Sequence, residues 1–341
     1  MKRARFAIFG TGFWSRFQLA AWREVKGAEC VALYNRTRAK AEALGREFGI
    51  SAIYDDPEKL LENERLDFVD IITDVDHHAP LTRLAASHGV AVICQKPMAP
   101  NLRAAEDMVK FCRQRHVPLF VHENFRWQTP LRALHAELQR GTIGRPFRAR
   151  IDFISGFPVF ANQPFLAQLE QFILTDVGSH VLDVARFLFG EAKSIYCRTQ
   201  RIHKTIKGED VATVLLEMRN GVHVTVNMAY ASNFLERESF PETLVFVEAE
   251  SGSVELSPGC VLRTTTRRGT CSRKVTPPFY AWADPRYAVV HSSIVPCHEN
   301  ILRAIHGRGA AETTGEDNLR TVRLVFGAYD SAERGKPVLV S

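Results

Sequence analysis

The sequence is poor in the residues that bind metals or cross-link small folds. It has seven cysteines, an odd number scattered over 341 residues, and none of them forms a C-x-x-C pair. Histidines spaced as His-x-His or His-x-x-x-His are also absent. We therefore predict neither a zinc site nor a disulfide framework, and we expect no bound metal. Such cysteine usage favours a reducing, cytoplasmic compartment.

Long apolar runs are missing as well. No stretch approaches the roughly 20 apolar residues that a membrane-spanning helix needs. The N-terminal apolar run is interrupted by Gly10, Gly12 and Arg16, and no small-residue cleavage site follows it. The pattern predicts a soluble protein with no membrane partner.

Charge of one sign is not concentrated in any segment. The formal net charge of +6 comes from 44 basic and 38 acidic residues mixed along the chain. The densest basic stretch, Arg263 to Lys274, contains no aromatic residue that could stack on a base. It predicts a solvated hairpin, and we expect no nucleic-acid partner.

The length and the 45% hydrophobic content predict two cores, because a single core stops growing well below 341 residues. In residues 1–122, short β-branched or aromatic runs alternate with helical patterns, which is typical of an α/β doubly wound parallel sheet. In residues 123–341 the runs are longer and alternate apolar with polar residues. That texture predicts an α+β domain with a mostly antiparallel open sheet and helices.

A glycine pair follows the first predicted strand. Gly10 permits a tight turn, and Gly12 lets phosphates approach the backbone where a helix begins. Free N–H groups at such a helix start bind a pyrophosphate. Ser15 stands where a third glycine or an alanine is usual, which is a modest departure. The residues predicted to contact a dinucleotide here are Gly10, Thr11, Gly12, Phe13 and Trp14.

The end of the second predicted strand lacks the acidic residue that holds the ribose of NAD. The sequence there reads Asn35-Arg36-Thr37. Asn35 can hydrogen-bond the ribose, while Arg36 and Thr37 could hold a 2′-phosphate. We predict NAD as the cofactor and leave NADP open. In the alternative, Thr37 is only a helix N-cap and Arg36 stacks on the adenine.

A lysine follows the fourth predicted strand. Lys96 would lie on the carboxyl edge of the sheet, where ligands bind in open α/β folds, and Pro97 fixes the backbone after it. Its ammonium could donate a hydrogen bond to a substrate hydroxyl or relay its proton. The alternative is a solvated surface lysine.

Asp176, His180 and Asp183 stand at positions i, i+4 and i+7. A helix would place all three on one polar face, opposite an apolar one. A carboxylate near an imidazole fixes its tautomer, which suits a base that removes a hydroxyl proton during hydride transfer. Asp183 could bind a second hydroxyl. Two alternatives remain, namely a helix-capping Asp176 beside a chance surface histidine, or a divalent-metal site.

Together, these motifs resemble the glucose-fructose oxidoreductase, inositol dehydrogenase and MocA family over nearly the whole chain. Members usually have Glu where this chain has Gln95, and Pro where it has Asp74. The marks of the resemblance are the Gly10/Gly12 turn, Thr73 with His78, Gln95-Lys96-Pro97, Asn124 with Arg126, and the Asp176 to His180 helix.

The resemblance implies a Rossmann domain at residues 1–122 and a substrate-binding, oligomer-forming domain at residues 123–341, in a homodimer or homotetramer. His180 would be the acid/base, Asp176 its partner and Lys96 the group that positions the reacting hydroxyl. Further implied cofactor contacts are Thr73, Asp74, His78, Gln95, Lys96 and Asn124. The implied substrate-binding residues are Lys96, Asn124, Arg126, Trp127, Phe157, Asp176, His180 and Asp183.

The implied activity is that of a dehydrogenase that uses NAD or NADP and acts on a sugar or polyol hydroxyl. Within the family, the runs at 121–128, 154–160 and 188–190 are most similar to members that oxidise a branched pentose to its lactone. Two alternatives stay open, a redox-neutral glycosidase that uses NAD transiently and a non-catalytic sensor on the same fold. The sensor is disfavoured because Lys96, Asp176 and His180 are all present.

Overall fold

Short buried strands build a parallel sheet in the first third of the chain. The structure is a computed structural model that describes residues 3–231 and 238–340. The strands are β1 (Ala4–Phe9), β2 (Ala28–Tyr34), β3 (Ala52–Tyr54), β4 (Phe68–Ile71), β5 (Ala91–Gln95) and β6 (Leu119–His122). Their order is β3-β2-β1-β4-β5-β6 with parallel pairing throughout, as in a doubly wound Rossmann sheet. The predicted fold is confirmed. Only β3 was missed, because three half-buried residues make too short a pattern.

Helices connect these strands, and two of them begin with a side-chain cap. They are α1 (Phe13–Glu24), α2 (Arg38–Phe48), α3 (Pro57–Asn63), α4 (His78–Ser87) and α5 (Leu102–Gln114). Asp56 accepts hydrogen bonds from two backbone N–H groups at the start of α3, and Asn101 accepts one at the start of α5. Between strands and helices, the fully buried rings of Phe6 and Phe68 stack at 4.7 Å between centroids. Burying each ring contributes about 1.5–3 kcal/mol.

One carboxyl group lies inside this apolar core. Asp70 of β4 has no exposed surface, and Trp22 Nε1 donates to its Oδ2 at 2.8 Å. Burial raises the pKa of Asp70 to about 7, and the Trp22 hydrogen bond opposes that rise. The Trp22 ring in turn stacks on the buried His298 at 3.8 Å, and His298 Nε2 lies 2.6 Å from Gln18 Oε1. These contacts form a polar cluster inside the core.

The second sheet is mixed and mostly antiparallel. Its strands are β7 (Pro146–Ser155), β8 (Ala192–Gln200), β9 (Val211–Met218), β10 (His223–Tyr230), β11 (Leu244–Ala249), β12 (Gly252–Ser257), β13 (Val261–Thr266), β14 (Gly269–Lys274) and β15 (Val338–Leu339). They are ordered β14-β13-β12-β11-β7-β10-β9-β8-β15, and only β7 and β10 pair in parallel among the described residues. Burial alternates along β9, β10 and β11, so one face of the sheet covers a core. Strands β13 and β14 form the predicted hairpin, and every residue of β14 is exposed.

The helices that follow the first sheet match the sequence pattern only in part. They are α6 (Thr129–Gln139), α7 (Val159–Asn162), α8 (Ile173–Asp176), α9 (Gly178–Phe189), α10 (Ala288–Ile305) and α11 (Gly315–Arg334). Helix α11 begins with a side-chain cap, because Thr314 Oγ1 accepts from the Asp317 N–H at 3.2 Å. The four-residue helices α7 and α8 were missed, and so was α10. Helix α10 contains Pro296, which in a sequence argues against a helix interior.

The chain divides into two compact units. Unit 1 comprises Met1–Asn124, Tyr280–Asp284 and His291–Val322, and unit 2 comprises Phe125–Phe279, Pro285–Val290 and Arg323–Ser341. Helices α10 and α11 therefore each contribute residues to both units. None of the described helices is long and apolar enough to cross a lipid bilayer. The assignment of separate roles to residues 1–122 and 123–341 stays a prediction.

Candidate active site

The glycine turn between β1 and α1 fits only glycine at its first position. Gly10 has φ of +97°, and a Cβ there would lie 2.7 Å from the Ile72 carbonyl oxygen and 2.8 Å from Thr73 Cγ2. Gly12 has open space around it and is the N-cap residue of α1, where it provides no side-chain cap. Ser15, the departure from the usual third glycine, is buried and donates to the Gly12 carbonyl oxygen at 2.5 Å. The turn thus leaves helix N–H groups without a side-chain cap, as a phosphate site requires.

Asn35 after β2 braces that turn. Its Oδ1 accepts from the Thr11 N–H at 3.1 Å, and its Nδ2 donates to the Thr37 carbonyl oxygen at 3.0 Å. Arg36 and Thr37 are exposed, and the Thr37 side chain makes no capping hydrogen bond to α2. Thr37 thus stands at the N-cap position of α2 without a side-chain capping bond, and both interpretations of this segment stay open.

Lys96 begins the turn after β5. Its N–H donates to Gln95 Oε1 at 3.0 Å, so the glutamine side chain folds back on the turn that it precedes. The Lys96–Pro97 peptide is cis. The thiol of Cys94 donates to the Met98 carbonyl oxygen at 3.8 Å and is fully buried. The backbone of Lys96 is thus held from several sides while its side chain is only half-buried.

His78 was predicted to contact the cofactor, and the structure corrects this. Its ring is 1% exposed, with Nδ1 3.0 Å from the Pro97 carbonyl oxygen and Nε2 3.0 Å from the Thr73 carbonyl oxygen. Burial lowers the pKa of the imidazole, although the backbone carbonyls oppose that shift. Because both ring nitrogens face backbone oxygens and almost no surface is exposed, His78 serves the two loops and does not reach a ligand.

Three buried polar atoms near the carboxyl ends of the strands have no hydrogen-bond partner among the residues that the structure describes. They are Thr11 Oγ1, Thr73 Oγ1 and Gln95 Nε2. Buried polar groups are nearly always paired, so these atoms call for a ligand or water. Phosphate oxygens and ribose hydroxyls of a dinucleotide would satisfy them. The residues present therefore fit the predicted cofactor.

In unit 2, the predicted helix carrying Asp176, His180 and Asp183 is divided. Helix α8 ends at Asp176, Val177 intervenes, and α9 begins at Gly178. Every residue of α9 except Phe187 is buried, so the protein covers the polar face of the helix as well as its apolar face. Asp176 itself is half-buried. Tertiary packing covers α9 on all sides, which a pattern of three polar residues cannot reveal.

His180 stacks on the ring of Phe125. The two rings are 3.8 Å apart between centroids and only 6° from parallel. Phe125 begins a single 3-10 turn, Phe125–Trp127. Besides the ring stack, the next residue of this turn makes a second contact with α9. There, Arg126 Nε donates to Asp183 Oδ2 at 2.7 Å and Nη2 donates to Oδ1 at 2.6 Å.

This ion pair corrects the prediction that Arg126 and Asp183 bind sugar hydroxyls. The Arg126 side chain is 7% exposed and that of Asp183 is fully buried. Arg186 Nη1 lies a further 3.6 Å from Asp183 Oδ1. A bidentate pair occupies both carboxylate oxygens, and no surface of Asp183 remains for a substrate. The two residues instead fasten the Phe125 turn to the helix that carries His180.

Glu209 is a residue of this site that the sequence did not indicate. Its Oε1 accepts from the Leu174 N–H at 3.2 Å and from the Tyr329 hydroxyl at 2.6 Å, and its Oε2 accepts from the Phe172 N–H at 3.3 Å. The carboxylate thus holds the start of α8, the helix that ends at Asp176. Contacts 35 and 120 residues apart leave no local pattern, so no sequence signal could have found them.

The remaining predicted site residues lie in defined surroundings. Asn124 is 3% exposed, and its Nδ2 donates to Ser293 Oγ at 2.7 Å. Trp127 packs under the Arg132 guanidinium at 3.6 Å, and Phe157 stacks on Phe240 at 4.2 Å. Phe13 is 74% exposed. Within the described residues, no group of three or more His, Cys, Asp and Glu side chains could hold a metal ion.

Comparison with protein families agrees with this geometry. Residues 4–123 match the oxidoreductase family with an NAD-binding Rossmann fold, and residues 131–253 match the GFO/IDH/MocA C-terminal domain. The chain therefore belongs to the GFO/IDH/MocA family of oxidoreductases and is an NAD-dependent dehydrogenase. The predicted family, enzyme class and cofactor are confirmed.

Individual relatives cover nearly the whole chain. The chain is 44% identical over 338 residues to a D-apiose dehydrogenase of Paraburkholderia graminis, covering 99% of this chain and 90% of that protein. It is 41% identical to a D-apiose dehydrogenase of Rhizobium rhizogenes, covering 99% and 98%. A crystal structure of an oxidoreductase from Agrobacterium radiobacter with NAD+, L-tartaric acid and magnesium superposes with a TM-score of 0.97, at 41% identity and 99% coverage of both chains.

Proposed function

We propose that the chain oxidises D-apiose, or a closely related aldose, at its anomeric carbon to the lactone, with NAD as the hydride acceptor. The observation that carries this proposal is the identity of 41–44%, over 99% of the chain, to two proteins named D-apiose dehydrogenase. The similar structure that contains L-tartaric acid supports a small polyhydroxylated substrate.

Dinucleotide binding is assigned to residues 1–122, and substrate binding and oligomer contacts to residues 123–341. The strain-tolerant glycine turn and the unsatisfied Thr11, Thr73 and Gln95 atoms support the first assignment. The proposed cofactor contacts are Gly10, Thr11, Gly12, Phe13, Trp14, Asn35, Arg36, Thr37, Thr73, Asp74, Gln95, Lys96 and Asn124. The proposed substrate contacts are Lys96, Asn124, Trp127, Phe157, Asp176 and His180.

In the proposed reaction, His180 accepts the proton of the anomeric hydroxyl while Lys96 donates a hydrogen bond to that oxygen. Bound NAD supplies the carbon that accepts the hydride. Asp176 stabilises the imidazolium that forms on His180. The stack on Phe125 limits rotation of the His180 ring, which supports its use as a positioned base. Most of the acceleration would come from such positioning.

A homodimer or homotetramer is part of the proposal. On the face of the second sheet turned away from the core, Leu215 is 48% exposed and lies beside Tyr196 on the neighbouring strand. An exposed leucine next to an aromatic ring on a sheet face suits a contact between copies. Light scattering of the purified protein tests the assembly. All seven cysteines are free thiols, which supports a reducing, cytoplasmic compartment.

The test of the activity is a spectrophotometric screen of aldoses, D-apiose included, with NAD and NADP in parallel. We expect NADH to accumulate with D-apiose faster than with unbranched pentoses. Release of an aglycone from a glycoside without net NADH would instead identify a redox-neutral glycosidase. Cofactor binding without turnover of any sugar or glycoside would point to a sensor.

The assignment of the base has its own test. His180→Ala should lower kcat by about 100-fold or more, in the range that general-base catalysis supplies. His223→Ala is the matched control, because His223 is exposed on β10 of the same unit. If His180→Ala keeps wild-type turnover, another group is the base.

A further inference from the structure

His78 stands where two loops of unit 1 meet. It is the first residue of α4, so its ring extends from a helix end fixed by the rest of that helix. One ring nitrogen lies 3.0 Å from the carbonyl oxygen of Thr73, in the loop after β4, and the other lies 3.0 Å from that of Pro97, in the turn after β5. The tautomer decides which of the two oxygens accepts the N–H.

Each of these loops leads to a different part of the proposed site. Thr73 packs on the glycine turn, since its Cγ2 lies 2.8 Å from where a Cβ of Gly10 would stand. Pro97 directly follows Lys96, so an anchor on the Pro97 carbonyl oxygen constrains the backbone that carries the ammonium. On its other side, the Lys96 N–H is held by Gln95 Oε1 at 3.0 Å. The His78 ring therefore lies between the two loops and donates its N–H to one of them.

We propose that His78 is a positioning residue for Lys96, coupling the turn that carries the lysine to the cofactor loop through its buried imidazole. The proposal rests on the proposed function, in which Lys96 orients the reacting hydroxyl. It assigns His78 no contact with substrate or cofactor, because the ring is 1% exposed. A displacement of about 1 Å at a reacting group can cost about 100-fold in rate, so a loosened turn is expected to affect turnover.

Three variants separate positioning from general stability. His78→Phe keeps a ring but removes both nitrogens, and His78→Gln keeps an N–H donor. His88→Gln is the matched control, because His88 lies at the exposed C-terminal cap of the same helix. For each protein we would measure thermal midpoint, Kd for NAD by fluorescence quenching, and kcat and KM with the sugar that the wild type oxidises fastest.

The expected result is a fall in kcat of about 100-fold for His78→Phe with Kd for NAD changed by less than about threefold. His78→Gln should lose only about fivefold, because one donor remains. If His78→Phe does not fold, His78→Gln decides: about fivefold lower kcat at unchanged Kd supports the proposal, and wild-type kcat overturns it. A folded His78→Phe protein with kcat within about threefold of wild type, or with an equal loss of NAD affinity, also overturns it.

A double-mutant cycle with Lys96→Ala tests whether His78 acts through the lysine. If it does, adding His78→Phe to Lys96→Ala causes no further loss of kcat. A full additional loss would show that His78 acts elsewhere and would overturn the proposal. If Lys96→Ala by itself retains wild-type kcat, the assignment of Lys96 in the proposed function has failed, which is a separate outcome from the effect of His78.

Discussion

Replacing Asp183 by asparagine tests the role that the structure gives to the buried ion pair. The change keeps the size of the side chain and removes its charge. Arg126 would lose a bidentate partner with contacts of 2.6 and 2.7 Å, in a place where its side chain is 7% exposed. Arg186, 3.6 Å from the same carboxylate, would lose part of its compensating charge as well.

The magnitude follows from the burial. Breaking a buried ion pair by neutralising one partner destabilises a protein by about 3–5 kcal/mol, because a guanidinium is left uncompensated away from water. For a domain of this size, each kcal/mol lowers the thermal midpoint by roughly 2–4 °C, so we expect a fall of about 10 °C. We also expect kcat to fall, because Asp183 lies one helical turn after His180 and fastens the turn whose Phe125 stacks on that ring.

The assay is thermal unfolding by circular dichroism, together with steady-state kinetics and a titration with NAD. Glu248→Gln provides the matched control, since Glu248 forms a comparable bidentate pair with Arg148 in the same unit. The Arg148 side chain is 65% exposed, so this pair lies in solvent. Exposed pairs contribute little, so the thermal midpoint of the control should stay within about 2 °C of wild type.

Two results would refute this reasoning in different ways. A thermal midpoint equal to that of wild type would mean that the Arg126–Asp183 pair does not stabilise unit 2. A raised KM for the sugar at unchanged stability and kcat would restore the prediction from sequence, in which Asp183 binds a substrate hydroxyl. The NAD affinity is expected to stay unchanged in either case, because the glycine turn belongs to unit 1.

Three further predictions concern other parts of the molecule. Gly10→Ala should abolish NAD binding in a calorimetric titration, because its Cβ would lie 2.7 Å from a carbonyl oxygen. Gly12→Ala should leave the thermal midpoint of the apoprotein unchanged, because the space around Gly12 is open, and a lowered midpoint would contradict this prediction. Burial raises the pKa of Asp70 from 3.8 to about 7, so the folded state holds this proton more tightly and loses stability as pH rises from about 4 to 7. Asp70→Asn should therefore raise the thermal midpoint more at pH 8 than at pH 5, and equal shifts would contradict the assignment. Glu209→Gln should lower stability by about 1–3 kcal/mol and reduce kcat, while Tyr329→Phe, which leaves the α8 contacts in place, should cost less.

The glycine turn and the Lys96 turn were predicted from sequence because their geometry is local. Gly10 has a positive φ and a neighbour at 2.7 Å, and both constraints select glycine whatever the rest of the chain does. Lys96 and Pro97 follow a buried strand directly, so strand periodicity alone puts the lysine at the sheet edge. The i, i+4 spacing of Asp176 and His180 likewise indicated a helix, although the break at Val177 was not visible.

The partners of the polar residues were not predictable in the same way. Arg126 and Asp183 are 57 residues apart, and Glu209 reaches Leu174 across 35 residues and Tyr329 across 120. A motif identifies residue types that can bind a hydroxyl, but a carboxylate binds a guanidinium equally well when folding brings one near. In the same way, His78 was predicted to contact the cofactor, but folding brought backbone carbonyl oxygens to both of its ring nitrogens.

What the sequence by itself determined was therefore the fold class, the dinucleotide turn and the set of chemical groups available to the reaction. Hydrophobic periodicity and backbone sterics act over a few residues, and both can be seen in the linear chain. Only the tertiary structure decided which of those groups stay open to a ligand and which are occupied by the protein itself. Burial makes an unpaired polar group costly, so each buried side chain takes whatever partner the fold brings within reach.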